Sequence, residues 1–333
     1  MIQPTSALLH LAFTFALGAS LQAQTVTIAP SDKGLRIEID GALFTEYVTK
    51  DATRPFFYPV LGANGAGLTR EHPPAPGVKV DHPHHSSIWF GHDGVNGVNF
   101  WFHGADAGRV ENTGFTDIKA AGPKASFSST SRWVKPNGDL VLNDERHFSV
   151  TAFPDGARQL DIALTLRATA GDVTFRDSKE GTMGMRIAPS LTLTGNKYNP
   201  KGGNGHILTS EGITDAKAWG TRAEWVAYYG PDPKGEPVSI TMMDHPRNLR
   251  HPTWWHVRGY GLFAANPFGQ SDFEAPPKSA IKAGTAIGGS GDKGKYVLAN
   301  GQALTQRYRI LIQKGQPVSP VLKASFADFS AAQ

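Results

Sequence analysis

The sequence predicts an all-β protein, one large antiparallel β-sandwich. Three observations carry this reading. Apolar residues recur at a period of two, as in Leu35, Ile37 and Ile39, in Leu160, Ile162, Leu164 and Leu166, and in Tyr308, Ile310 and Ile312. Between such runs stand Asn137-Gly138, Asp155-Gly156 and Asn300-Gly301, dipeptides that tolerate the positive φ of tight hairpins. The 37 glycines and 23 prolines interrupt the chain too often for long helices.

In chain order, residues 1–23 read as a signal peptide. Ala7 to Leu21 is almost entirely apolar, no charged side chain precedes Asp32, and Ala23 offers a small residue for cleavage. A short membrane anchor is the alternative, although about 15 residues fall short of a typical spanning helix. No later segment approaches spanning length, so residues 24–333 are expected as a single exported domain, periplasmic or secreted. Two smaller sandwiches meeting near residue 195, in the loop Gly195 to Gly205, are the other division considered. Ser210 to Trp225 is expected as a short helical or loop insertion, and no strong amphipathic helix stands out.

Cysteine is absent, which excludes disulfides and thiolate chemistry and leaves His, Asp or Glu to hold any metal. The net charge of +4 is mild, and the lysines and arginines are scattered rather than gathered into a nucleic-acid footprint. No Gly-rich phosphate loop, G-x-S-x-G elbow or H-E-x-x-H motif is present.

What chemistry there is concentrates in a few segments. Five of the twelve histidines fall between Asp81 and His103, interleaved with Trp89, Phe90, Phe100 and Trp101. Imidazole titrates near neutrality and is the commonest metal ligand. In an extended segment His82 and His84 would share one face, with His85 opposite. An H-x-H pair suits either a divalent metal, with further ligands, or acid–base work. A second segment, Asp244-His245-Pro246 through Trp254-Trp255-His256 to Tyr260, repeats the Asp-His-Pro tripeptide and the aromatic company. A third, Asp177-Ser178-Lys179-Glu180 to Arg186, sets charged residues between strand-like runs. It supplies Glu180 as carboxylate base or metal ligand, and Lys179 and Arg186 as hydroxyl or anion binders. Trp101 and Trp254 are candidate platforms for a sugar ring, with Asp244 as a polar partner, since a site of this kind joins an apolar floor to a few convergent polar groups.

Four stretches together resemble one family: Tyr47-Val48-Thr49-Lys50 to Pro59-Val60-Leu61-Gly62; Asp81-His82-Pro83-His84-His85 to Trp89-Phe90-Gly91-His92; Asp177-Ser178-Lys179-Glu180-Gly181; and His251-Pro252-Thr253-Trp254-Trp255-His256 to Asn266-Pro267-Phe268-Gly269. The family consists of exported bacterial proteins of unknown function labelled methane oxygenase A-like. A methane monooxygenase subunit would carry several long apolar helices, and this chain has none, so the label is read as a misnomer and lends no catalytic residues. In size, strand character and residue types the chain is also similar to sandwiches of the aldose-epimerase and polysaccharide-lyase kind. That similarity implies a galactose-mutarotase-like supersandwich or a jelly roll, with histidines and a carboxylate acting in a cleft.

These readings converge on an exported carbohydrate-active protein, an epimerase, lyase or glycoside hydrolase, acting on a small-molecule or oligosaccharide substrate. His82, His84, His85 and Glu180 would do acid–base work, and His245 and His256 would form the second wall. Two alternatives stand beside it. One is a metal-dependent hydrolase or oxidase with His82 and His84 on Zn, Cu or Fe; the other is a non-catalytic glycan-binding module.

Overall fold

The period-two runs form strands in the computed structural model, which describes residues 24–275 and 291–332. The expected signal peptide, residues 1–23, lies outside the described residues. Gly34–Ile39, Arg158–Arg167 and Ala303–Lys314 carry the three alternating patterns. The last two pair antiparallel, setting Leu160 opposite Ile310 and Ile162 opposite Tyr308. All four of those side chains face one core, as a period-two strand with one buried face requires.

Two antiparallel sheets make up the sandwich. The smaller has eight strands among the described residues, ordered His206–Thr209, Trp225–Pro231, Pro237–Asp244, Ala303–Lys314, Arg158–Arg167, Leu140–Ala152, Lys124–Val134 and Arg109–Lys119. The larger has twelve among the described residues, and runs from Trp254–Val257 through Leu262–Asn266, Gly181–Arg186 and Ile88–Val95 towards the N-terminal strands. Strands from both sides of residue 195 are neighbours in each sheet, as when Gly181–Arg186 pairs with Leu262–Asn266. The apolar layer between the sheets includes Ile37, Phe44, Phe90, Met183, Met185 and Phe263 from the larger sheet.

Two of the turn dipeptides close hairpins. Asn137-Gly138 and Asp155-Gly156 each join neighbouring strands of the smaller sheet, with Gly138 at φ 92°. Asn300-Gly301 does something else. It carries the chain from Tyr296–Leu298, in the larger sheet, to Ala303–Lys314 in the smaller one. A positive-φ turn reverses direction wherever it stands; which sheet the next strand joins is set by packing.

One element departs from expectation. Ser319–Ala331 is a 13-residue helix, begun by Pro320 in its first turn. It buries only Leu322 and Phe329, against Trp225, Met243 and Leu311 on the outer face of the smaller sheet. So thin an apolar stripe gives little periodic signal. Ser210 to Trp225 holds a single 3-10 turn, Asp215–Ala218. Among the described residues no helix is long and apolar enough to cross a membrane.

The outer face of the larger sheet positions the site. Along Gly181–Arg186, Met183 and Met185 point into the sandwich core. Alternation therefore sends Thr182, Gly184 and Arg186 to the other face. There Trp89, Leu262 and Ala264 form a second apolar cluster, roofed by Trp101 and Phe102. This bed is closed to water, and the polar groups of the site lie on it.

Candidate functional site

Asp81 to His85 is a turn rather than an extended segment. The His85 amide donates to the His82 carbonyl at 3.1 Å, with Pro83 in the second position of the turn, where its fixed φ is favoured. The expected division of faces is thereby corrected. His85 stacks on His82 with ring centres 4.9 Å apart and planes at 6°, and His84 stands edge-on to His85 at 4.5 Å. One ring nitrogen from each of the three lies within 4.8 Å of the others. His82 is exposed, whereas His84 and His85 are buried.

Two arginines and one aspartate fix this turn. Arg70 donates to Asp81 Oδ1 at 2.8 Å and to the His82 carbonyl at 2.8 Å. Arg186 donates from Nη2 to both Asp81 oxygens at 2.7 Å and from Nη1 to His85 Nδ1 at 3.1 Å. Guanidinium has no acceptor, so His85 Nδ1 accepts and the neutral ring carries its proton on Nε2. Burial lowers all three imidazoles from their ordinary value. Burial, with Arg54 adding to it, pulls His84 down to about 3. Burial, then His84 and Arg186, holds His85 well below the usual range, and burial also lowers the exposed His82.

Tyr260 closes the group. Its ring stacks on His82 at 5.3 Å and lies 4.8 Å from the Arg186 guanidinium. Burial raises its phenol to about 12, and Glu180 and Asp81 lie near enough to add to that rise. A cavity of about 400 Å³ opens beside it, lined among others by Arg70, Asp81, Arg186, Tyr198, Asn199 and Tyr260.

Glu180 and Lys179 sit in the bend that leads directly into Arg186's own strand, Gly181–Arg186. Burial raises the Glu180 carboxyl from its usual value. Its nearest cation is Lys179, 3.6 Å away, and Lys179 also stands 3.8 Å from Asp272. His256 has a different part. Its Nδ1 donates to the Lys179 carbonyl at 2.8 Å, and its Nε2 accepts from Arg258 Nε at 3.1 Å. Burial, with Arg258 adding to it, pulls it down to about 3. With both nitrogens engaged, His256 is a strut that holds the Lys179-Glu180 corner, and the expected acid–base role is corrected.

Four other expected residues take packing or loop-fixing parts instead. Trp101 is 0% exposed, with its ring against Trp89 at 4.8 Å and over Gly184. Trp254 is buried beneath Arg222, whose guanidinium lies 4.7 Å from its ring. Neither offers a face to a ligand; Trp89 and Trp101 instead form the bed under His85, at 5.1 and 6.0 Å. His245 packs its ring on Phe329 of the C-terminal helix at 4.9 Å and accepts the Arg247 amide at 3.0 Å. Asp244 accepts from Asn248, His251 and the Thr253 amide, at 2.7, 2.8 and 3.0 Å. The second Asp-His-Pro thus ties down its own loop, because every acceptor position of a buried carboxylate must be filled from nearby.

The structure adds residues that carried no role in the sequence. Arg70, Arg54, Tyr260 and Arg258 all reach the histidine turn or its partners. Tyr260, Arg258 and Arg54 sit in segments already singled out, Arg54 within the family stretch Tyr47 to Gly62; Arg70 lies in a loop with no motif around it.

A family model described as a family of unknown function, DUF6807, matches residues 34–327. No curated protein matches the chain. Among solved structures, an alpha-galactosidase from Lactobacillus brevis is similar at 8% identity and a TM-score of 0.37, over 87% of this chain and 39% of that one. The chain thus spans about two fifths of that protein's length.

Proposed function

The chain belongs to the DUF6807 family of unknown function, and we propose that it is an enzyme acting on a carbohydrate by proton transfer. One observation carries the reading. Around Tyr260 stand an exposed imidazole lowered by burial, His82, and a carboxyl raised by burial, Glu180. Epimerisation or elimination needs one group to take a proton from carbon and a second to give or receive one, and His82 and Glu180 would fill these two parts. Titratable groups perturbed by burial, gathered around a residue that itself lines a cavity, Tyr260, support a functional site. The cavity of about 400 Å³ lies within the usual span of small-molecule sites. Tyr260 and Tyr198 would offer flat faces to a ring, while Arg70, Arg186 and Asn199 would take its hydroxyls. His84 and His85 would support His82. Residues 1–23 would direct export to the periplasm or beyond.

The test is exchange. Incubated in deuterated water with a panel of mono- and oligosaccharides, the protein should place deuterium at a ring carbon, or release an unsaturated product. His82→Ala and Glu180→Gln should each stop this while the fold is retained. A sugar bound tightly without exchange or cleavage would instead make the protein a glycan-binding module.

A divalent metal is the second reading, favoured by the three imidazole nitrogens within 4.8 Å. The donor chemistry fits it poorly. Arg186 donates to His85 Nδ1, so the remaining nitrogen of that neutral ring bears a proton and has no lone pair to give. Asp81 is committed to Arg70 and Arg186. That leaves His82 and His84 with guanidinium groups around them, and no step is routed through a metal.

A further inference from the structure

On the other side of the His82–His85 turn lies a second cavity, of about 540 Å³, lined by Arg54, His72, Tyr58, His103 and the lysines Lys33 and Lys50, among others. Arg54 is its unusual member. It is 2% exposed and has no carboxylate within ion-pair distance among the described residues. One Nη donates to the His84 carbonyl, the guanidinium lies 5.7 Å from the Trp89 ring, and Nε has no partner. Two further buried nitrogens beside it also lack partners, His72 Nδ1 and His84 Nε2. Burying a cation without a counter-charge is costly, and orphaned polar atoms gathered in one place mark a group that is to be supplied.

The chemistry of that group follows from the charges in the wall. Lys33, Lys50 and Arg54 face Glu46 and Asp51, which leaves an excess of one positive charge. Burial and Arg54 pull His72 to about 4 and His103 to about 3, so both rings are neutral and give or take single hydrogen bonds without adding charge. A single negative charge balances this wall and a doubly charged phosphate exceeds it. We propose that this cavity is a carboxylate-binding site, with the anion on Arg54 and hydrogen-bonded by His72 and His103. The assignment does not depend on acid–base turnover at His82.

Thermal melts at constant ionic strength test it, comparing sodium acetate, sodium glucuronate, sodium phosphate and glucose against sodium chloride. Acetate and glucuronate should raise Tm saturably, as ligands that bind only the folded state do, and glucose should not. Arg54→Lys should weaken the apparent affinity about tenfold, since lysine lacks the planar fork, and Arg54→Met should abolish the effect. In chloride alone Arg54→Met should melt no lower than the wild type, because it removes an uncompensated buried charge. His82→Ala should keep the response to acetate. A phosphate shift larger than that of acetate would overturn the carboxylate assignment. The absence of any saturable shift, or an equal shift in Arg54→Met, would overturn the site and leave Arg54 as a clamp on the His84 carbonyl.

Discussion

Arg186 joins His85 to Asp81: one Nη donates to His85 Nδ1 at 3.1 Å while the other donates to both Asp81 oxygens at 2.7 Å. That side chain sets the tautomer of one imidazole and, together with Arg70, the position of the turn that carries all three. Arg186→Met should therefore cost about 3–5 kcal/mol, the usual loss on breaking a buried ion pair. Urea unfolding of the two proteins measures it, and a loss below about 1 kcal/mol would place Arg186 among weak surface pairs. Nitrogen NMR of the wild type should find His85 protonated on Nε2.

The same bond bears on metal. After expression without a histidine tag and dialysis against zinc, the wild type should retain well under one equivalent. Retention of one equivalent, lost in a His82→Ala/His84→Ala double variant, would revive the metalloenzyme reading.

Glu180→Gln should reduce turnover by roughly 10²–10⁴-fold, the span of a positioned acid or base. Stability should change little, because its one ion pair among the described residues, to Lys179 at 3.6 Å, is long and partly exposed. Parallel kinetics and thermal melts on any substrate found by deuterium exchange separate the two effects. A drop in Tm matching the loss of activity would make Glu180 structural.

Acid should destabilise the fold earlier than carboxylate protonation alone would. Burial lowers His92 from 6.5 to about 4 and His256 from 6.5 to about 3. Between those values and 6.5 the unfolded chain binds protons that the folded chain refuses. Stability therefore falls as pH drops through that window, by up to about 1.4 kcal/mol per pH unit for each fully buried ring. Urea midpoints at pH 7 and pH 5 should differ accordingly, and His256→Gln should make the slope shallower. Equal midpoints would mean that the two rings titrate alike folded and unfolded.

Gly184→Ala tests the bed under the imidazoles. A Cβ there would come within 2.8 Å of both Trp89 and Trp101. The strain should cost about 1–3 kcal/mol, as overpacking does, with a change in near-UV circular dichroism as the indoles shift. An unchanged melt would show that the indoles have room to move.

Much of this was legible in the residues themselves. Period-two alternation at Leu35–Ile39 and Leu160–Leu166 located strands, because a sheet with one buried face repeats every two residues. The concentration of histidine between Asp81 and His103 marked the turn on which three imidazoles meet, and the run Lys179-Glu180 to Arg186 contained the guanidinium that holds it. The thin stripe of Ser319–Ala331 escaped, since two buried residues in thirteen leave almost no pattern.

The sequence by itself determined an all-β sandwich, chemistry without thiols, and the segments from which the polar groups come. Only the tertiary structure decided which of those groups meet. His82 and His85 stack because a turn at Pro83 folds them together; Arg54 and Arg70 join them from separate loops earlier in the chain; and Trp101, Trp254 and His245 are spent on packing. The physical reason is range. Strand periodicity is enforced locally by backbone geometry, whereas the pairing of Arg186 with His85, 101 residues away, depends on the lateral order of strands in the sheet. That order is fixed by packing of the whole core and leaves no periodic trace in the chain.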